Sequence, residues 1–354
     1  MRYRDVHALR RIESHWVITM MKRKNIYSIF IAFGTLFILI LDSKSAICGA
    51  RQGIELCIRT LIPALFPFMV ITESCGTLLL GVRSKALRKL MKPCKIPCGS
   101  EIIYVLGLLG GYPIGAKLIS NAYKQNLIKR NDAHRMFMFC CNAGPSFIFG
   151  IIGPMFTQPL MPLIIWEIHI LSSYLVGVFT AKTEETPCTL IPVSSLNIST
   201  IIPTVVKTIG TICGWVVLFR IIITFFTNWL LWCFPTSMQV LFSGTLELSN
   251  GCLQLAEIES ICERFIIAVI MVTFGGFCVT MQTASLVPLG TLKYYIFGKL
   301  YQSIIALFLS IPVVILIANL SLCVLLLPLC CLILFGIRYI VKSSKITVAF
   351  LREM

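Results

Sequence analysis

Six ionisable side chains stand in stretches that are otherwise apolar: Glu73, Lys117, Glu167, His169, Arg220 and Glu247. A charge at the centre of a bilayer costs at least about 2.5 kcal/mol on insertion scales, so each needs a partner, a route to water or a task. Several lie beside backbone breakers. GGYPIGAK at 110–117 places Gly110, Gly111, Pro113 and Gly115 just before Lys117, and CNAGP at 141–145 places Gly144 and Pro145 just after Asn142. Freed N–H groups at a broken helix attract anions, and a lysine beside them favours a negatively charged solute. An amide such as Asn142 can both donate and accept, which suits orienting a solute. No nucleophile–base motif and no metal-ligand cluster accompanies these residues, so neither an enzyme nor a cofactor nor a metal is implied.

The elements that must carry these residues are membrane helices. Of 354 residues, 57% are hydrophobic and 13% charged, against about half and a quarter in a soluble domain. The formal charge of +16 belongs to loops and flanks that fix topology, which excludes nucleic acid as the reason for it. Sixteen cysteines are scattered through apolar runs or stand as neighbours, as small hydrophobes do. The pair Cys94 and Cys98 lacks the second pair that a zinc site requires.

Spanning needs roughly 20 apolar residues. The candidates are Ile26–Leu41, Leu61–Val82, Met136–Phe156, Leu160–Ala181, Ile201–Phe226, Phe265–Val287, Ser303–Ala318 and Leu320–Val341, with two awkward stretches at Ile102–Ala116 and Trp229–Leu246. Met21, followed by basic residues and an apolar run, has the form of an ordinary start, with 1–20 either an added stretch or a cytoplasmic tail. Ile26–Leu41 is read as a signal anchor. Basic residues flank Ile102–Ala116 on both sides, in Arg83–Lys95 and Lys117–Arg135. A re-entrant hairpin turning at Gly110–Pro113 keeps both flanks in the cytoplasm. The alternative is a kinked spanning helix. Residues 252–263, with three glutamates and no basic residue, are read as external.

Laid over one another, GGYPIGAK and GGFCVTMQ (275–282) match at Gly-Gly-aromatic, with Gln282 meeting Lys117 and the Gly275–Gly276 break meeting Gly110–Gly111. TESCG around Glu73 likewise resembles LELSNG around Glu247. Repeats with broken helices at matching positions are how secondary transporters build a midplane site. The expectation is an all-α polytopic membrane protein with about eight spanning helices and two re-entrant or broken-helix hairpins in an inverted repeat. Its parts are a tail (1–24), a first half (25–181), a linker (182–199), a second half (200–341) and a tail (342–354). Glu73 and Glu247 then occupy matching positions. Glu167 and His169, two apart, do not share a helix face and mark the water-facing end of theirs. Arg220 contributes to an anion site, pairs with a carboxylate such as Glu247, or snorkels; Lys117 either binds an anion or snorkels.

The run GLLGGYPIGAKLISNAYKQNLIKRNDAHRMFMFCCNAGPSFIFGIIG, with SGTLELSNG and FGGFCVTMQ, resembles the sporulation integral membrane protein YlbJ family, also called SpoVV, over about residues 25–341. The resemblance implies a nucleoside-recognition (Gate) domain, a fold like that of concentrative nucleoside transporters, and a role in endospore formation. It implies transport of dipicolinic acid, a small organic dianion, from the mother cell across the outer forespore membrane. By motif, the substrate candidates are Tyr112, Lys117, Asn142, Glu247 and Gln282; the ionisable residues themselves add Glu73, with Arg220, Glu167 and His169 as accessory charges. The other partners are a coupling H+ or Na+, the bilayer and a second copy of the chain. Arg220, the extra cysteine at 140–142 and the N-terminal extension depart from the family pattern. Fold does not fix substrate, so transport of a nucleoside or other polar solute, and a non-transporting scaffold for the spore envelope, stand as alternatives.

Overall fold

The computed structural model describes residues 29–30, 32–82, 84–181, 197–287 and 289–318. The expected span Leu320–Val341, both tails and most of the linker lie outside the described residues. The described residues form helices without strands, and this is an integral multi-pass membrane protein. After the short apolar helix α1 (Ala32–Leu41) come five helices long and apolar enough to span: Ser43–Leu79 (α2), Met161–Phe179, Ile198–Trp229, Ile261–Ala284 and Leu292–Ala318.

Between these spans the chain repeatedly stops and restarts. After the surface helix α3 (Lys85–Met91), helices α4 (Glu101–Gly110) and α5 (Ile114–Lys124) meet at Gly111, and α6 (Arg130–Phe139) is separated from α7 (Pro145–Met155) by residues 140–144. α8 (Met161–Phe179) and α9 (Ile198–Trp229) are continuous. Then α10 (Thr236–Leu246) and α11 (Leu248–Gln254) meet at Glu247, and α12 (Ile261–Phe274) and α13 (Gly276–Ala284) meet at Gly275; α14 (Leu292–Ala318) closes the described chain.

Two of these breaks are hairpin tips. In a straight helix Gly107 and Gly115 would be about 12 Å apart, yet a Cβ on Gly107 would lie 3.4 Å from the Gly115 Cα. The chain has doubled back at Gly111, which has φ +74, open to glycine at no steric cost. Gly244 and Gly251 approach one another equally closely across Glu247. Residues 102–116 are therefore a helical hairpin and not a kinked single helix, and the awkward stretch ending at Leu246 is the first arm of a second hairpin. Cβ atoms on Gly107 and Gly115 would both overlap the Cys140 carbonyl oxygen, so the first hairpin lies directly on the break between α6 and α7.

The structure corrects three expectations. Met136–Phe156 is two helices, because Cys140–Gly144 is unwound. Pro145 stands at the start of α7, where its missing N–H costs nothing, so the break expected at Asn142–Pro145 separates two helices. The overlay of GGYPIGAK on GGFCVTMQ is not kept by the element order. Gly110–Gly111 belongs to a hairpin tip and Gly275–Gly276 to a kink within a spanning helix, so the elements pair Gly111 with Glu247 and the 140–144 break with Gly275. Glu73, inside α2, does not correspond to Glu247.

Small residues set the packing. Cβ atoms on Gly49 and Gly53 would stand 2.8 and 2.9 Å from the Ile221 and Val217 Cα atoms of α9, the small-residue contact by which helices associate in lipid. Gly298 of α14 similarly touches the backbone of Met138 in α6.

Gly115→Ala and Gly251→Ala should each lower stability by about 1–3 kcal/mol, the range for overpacking, because each Cβ meets backbone rather than a flexible side chain. Gly214→Ala, in open space on α9, should be neutral or slightly stabilising. Thermal unfolding of the detergent-solubilised protein would read this, and equal behaviour of the three would refute the packing assignment.

Candidate functional site

The breaks converge on a small cavity. Its polar wall comes from Tyr112 at the first hairpin tip, Glu247 and Ser249 at the second, and Gln282 of α13; Ala143 and Gly144 add the α6–α7 break. Leu61, at the end of a π-helical turn in α2, Phe147 of α7, and Ile212 and Val216 of α9 complete it. Gly275 at the α12–α13 kink packs on Tyr112: a Cβ there would lie 3.2 Å from the phenol oxygen. The cavity volume is about 40 Å³, room for a few waters and well below the roughly 300–1,000 Å³ of an ordinary ligand pocket.

Glu247 is buried and serves the backbone. Its Oε1 accepts from the Ser249 N–H at 3.0 Å, and its Oε2 accepts from the Asn250 N–H at 2.8 Å and Asn250 Nδ2 at 2.7 Å. It is the N-cap of α11, and it lines the cavity as well. Arg220 does not bind it directly. The guanidinium donates to Asn250 Oδ1 at 2.8 Å and to Gln52 Oε1 at 3.0 and 2.7 Å, so Asn250 joins Arg220 to Glu247. Of the alternatives for Arg220, carboxylate pairing is realised through one intervening amide.

Lys117 is not a bare cation. Its Nζ lies 2.9 Å from Glu73 Oε2, and the two side chains are only 12% and 13% exposed. The structure brings together two of the expected site residues, but as an ion pair apart from the cavity wall. Glu167 and His169 separate: Glu167 is exposed, whereas His169 is fully buried. The expected water-facing end does not hold for His169. Its Nε2 accepts the Ala143 N–H at 3.0 Å, satisfying a backbone donor that the break at 140–144 sets free.

Behind Tyr112 lies a network with two members unforeseen from the sequence, Lys299 and Gln302 of α14. Lys299 Nζ is 2.5 Å from Gln302 Oε1, 3.2 Å from the Tyr112 hydroxyl and 3.4 Å from Asn142 Oδ1. It also stands 5.2 Å from the Tyr112 ring centroid, within cation–π range. Gln302 Nε2 donates to Asn142 Oδ1 at 3.2 Å and to the His169 carbonyl at 3.2 Å. Asn142 Nδ2 donates to the Phe139 carbonyl at 2.8 Å. Lys299, Gln302, Asn142 and His169 are at most 1% exposed. The apolar run Ser303–Ala318 begins past both residues. The available signal was a lysine and a glutamine three apart, the spacing that puts them on one helix face. Gln282 lines the cavity and donates to Cys278 Sγ at 3.3 Å.

With this geometry in view, the chain is similar to the sporulation integral membrane protein YlbJ of Bacillus subtilis (strain 168). The two are 23% identical over 309 residues, covering 73% of this chain and 75% of that protein. The similarity supports the family resemblance noted in the sequence. No family model matches the chain, and no solved structure gives a match.

Glu73→Gln and Lys117→Gln should each destabilise by about 3–5 kcal/mol, since either leaves a largely buried charge alone. The double substitution should recover much of the loss. Thermal midpoints of the three variants test this, and simple additivity would argue against the pair.

Proposed function

We propose that this protein is a transporter that moves dipicolinic acid, a small organic dianion, from the mother cell across the outer forespore membrane during sporulation. The observation that carries the reading is the convergence of two hairpin tips and two broken helices on one small cavity, largely apolar, with Tyr112, Glu247, Ser249 and Gln282 as its polar groups. Irregular backbone at membrane depth is tolerated where it is buried in protein or lines a cavity, and secondary transporters bind their solutes at such places. The twofold order of long helix, hairpin, broken helix and long helix supports an inverted repeat of the Gate type. H+ or Na+ would be the coupling ion, with the carboxylate and freed carbonyls at the breaks available to either. A second copy of the chain is a further expected partner, and the reading is of a carrier rather than an enzyme.

One observation favours a second reading. The cavity wall offers a carboxylate, Glu247, and an amide, Gln282, while the cation expected there, Lys117, is paired with Glu73. That wall suits a nucleoside or another neutral polar solute. A scaffold for the spore envelope would leave the cavity residues replaceable.

A deletion strain complemented with wild type, Gln282→Leu or Tyr112→Phe separates these. Under the transport reading, dipicolinate accumulates in the mother cell of the deletion strain and wild type restores it to the spore. Gln282→Leu then restores much less, and Tyr112→Phe falls between. Normal spore dipicolinate in the deletion strain would overturn the assignment. Full rescue by both variants would favour the scaffold.

A further inference from the structure

Three cations stand near the breaks, and two have their charge answered. Lys117 faces Glu73 directly, and Arg220 reaches Glu247 through Asn250. Lys299 differs. It is 1% exposed, its hydrogen-bond partners are the neutral oxygens of Gln302, Tyr112 and Asn142, and among the described residues no carboxylate lies within ion-pair distance. A buried charge needs a counter-charge to offset its desolvation, and the protein supplies none there.

The position is not accidental to packing. Gly298 touches the Met138 backbone and so sets the next residue, Lys299, against the break between α6 and α7. The amine does not line the cavity itself. One side chain separates them: the Tyr112 hydroxyl contacts Nζ, and Tyr112 is part of the cavity wall. Ala143 and Gly144, which follow Asn142, line the same wall. Displacing the phenol would join the cavity to an amine, an amide oxygen and a second amide from Gln302.

We propose that Lys299 is the receptor for a carboxylate of the transported solute, with Tyr112 covering it when the cavity is empty and Asn142 and Gln302 orienting it. This rests on the reading of the protein as an organic-anion transporter and assigns the charge-recognising residue of that site. It replaces Lys117 in that role. The arriving carboxylate takes the place of the neutral acceptors around Nζ, giving the shorter and stronger charge-assisted contact. A neutral amide analogue can accept only the weaker hydrogen bond that Gln302 and Asn142 already take from the amine, so the residue sets charge selectivity.

The test is calorimetric titration of the purified full-length protein in detergent with pyridine-2,6-dicarboxylate and with its uncharged pyridine-2,6-dicarboxamide. Wild type should prefer the dicarboxylate by about tenfold or more, each tenfold being about 1.4 kcal/mol. Lys299→Gln should lose that preference while holding the dicarboxamide unchanged, and Lys117→Gln should keep it. Lys299→Arg, which retains a cation, should keep part of it. If Lys299→Gln is not recovered folded, Lys299→Arg decides, and complete loss of the preference in that variant overturns the proposal. If wild type binds the dicarboxylate and Lys299→Gln binds it equally, or loses both ligands alike, the inference fails while the transport reading stands. If wild type prefers the dicarboxamide or binds neither, the anion-transport reading fails and takes the inference with it.

Discussion

Inside a bilayer, every backbone group released by a broken helix must find its partner within the protein. The centre of this molecule follows from that constraint. The Ala143 N–H goes to His169, and the Ser249 and Asn250 N–H groups go to the Glu247 carboxylate. The Cys140 carbonyl lies under the glycines of the first hairpin. A break on its own would be costly. Four breaks that share side chains, glycine contacts and one small cavity can be held together, which is why they are clustered rather than spread along the spans.

The same constraint gives several polar residues two duties. Glu247 caps a helix and lines the cavity. Asn142 ties its own break to Phe139 and offers its oxygen to Lys299 and Gln302. Tyr112 separates the cavity from that network. Replacement of such a residue disturbs backbone satisfaction along with anything it does in the cavity, so loss of activity alone cannot assign its role. Charge-selective binding can, because the backbone is indifferent to whether a solute carries carboxylates or amides.

Much of this was legible from residue types. Gly-Gly-Tyr-Pro between basic flanks marked the re-entrant hairpin, since only a turn keeps both flanks on one side. Asn142 and Pro145 marked the second break. The repeat register was not legible, because two Gly-Gly-aromatic triplets match by composition while one is a hairpin tip and the other a helix kink. Glycine permits both, and only tertiary contact decides. Lys117 was found, but not its pairing: Glu73 is distant in sequence and reaches it through packing of α2 against the first hairpin. Lys299 was missed because a lysine near the start of a long apolar helix resembles an interfacial anchor until Gly298 is seen to press it inward.

The cavity, with room for only a few waters, has a mechanical consequence. Any larger solute would have to displace a wall, and the walls are hairpin tips and half-helices that touch one another through glycine. The close backbone contacts that hold the breaks together would be the first to part.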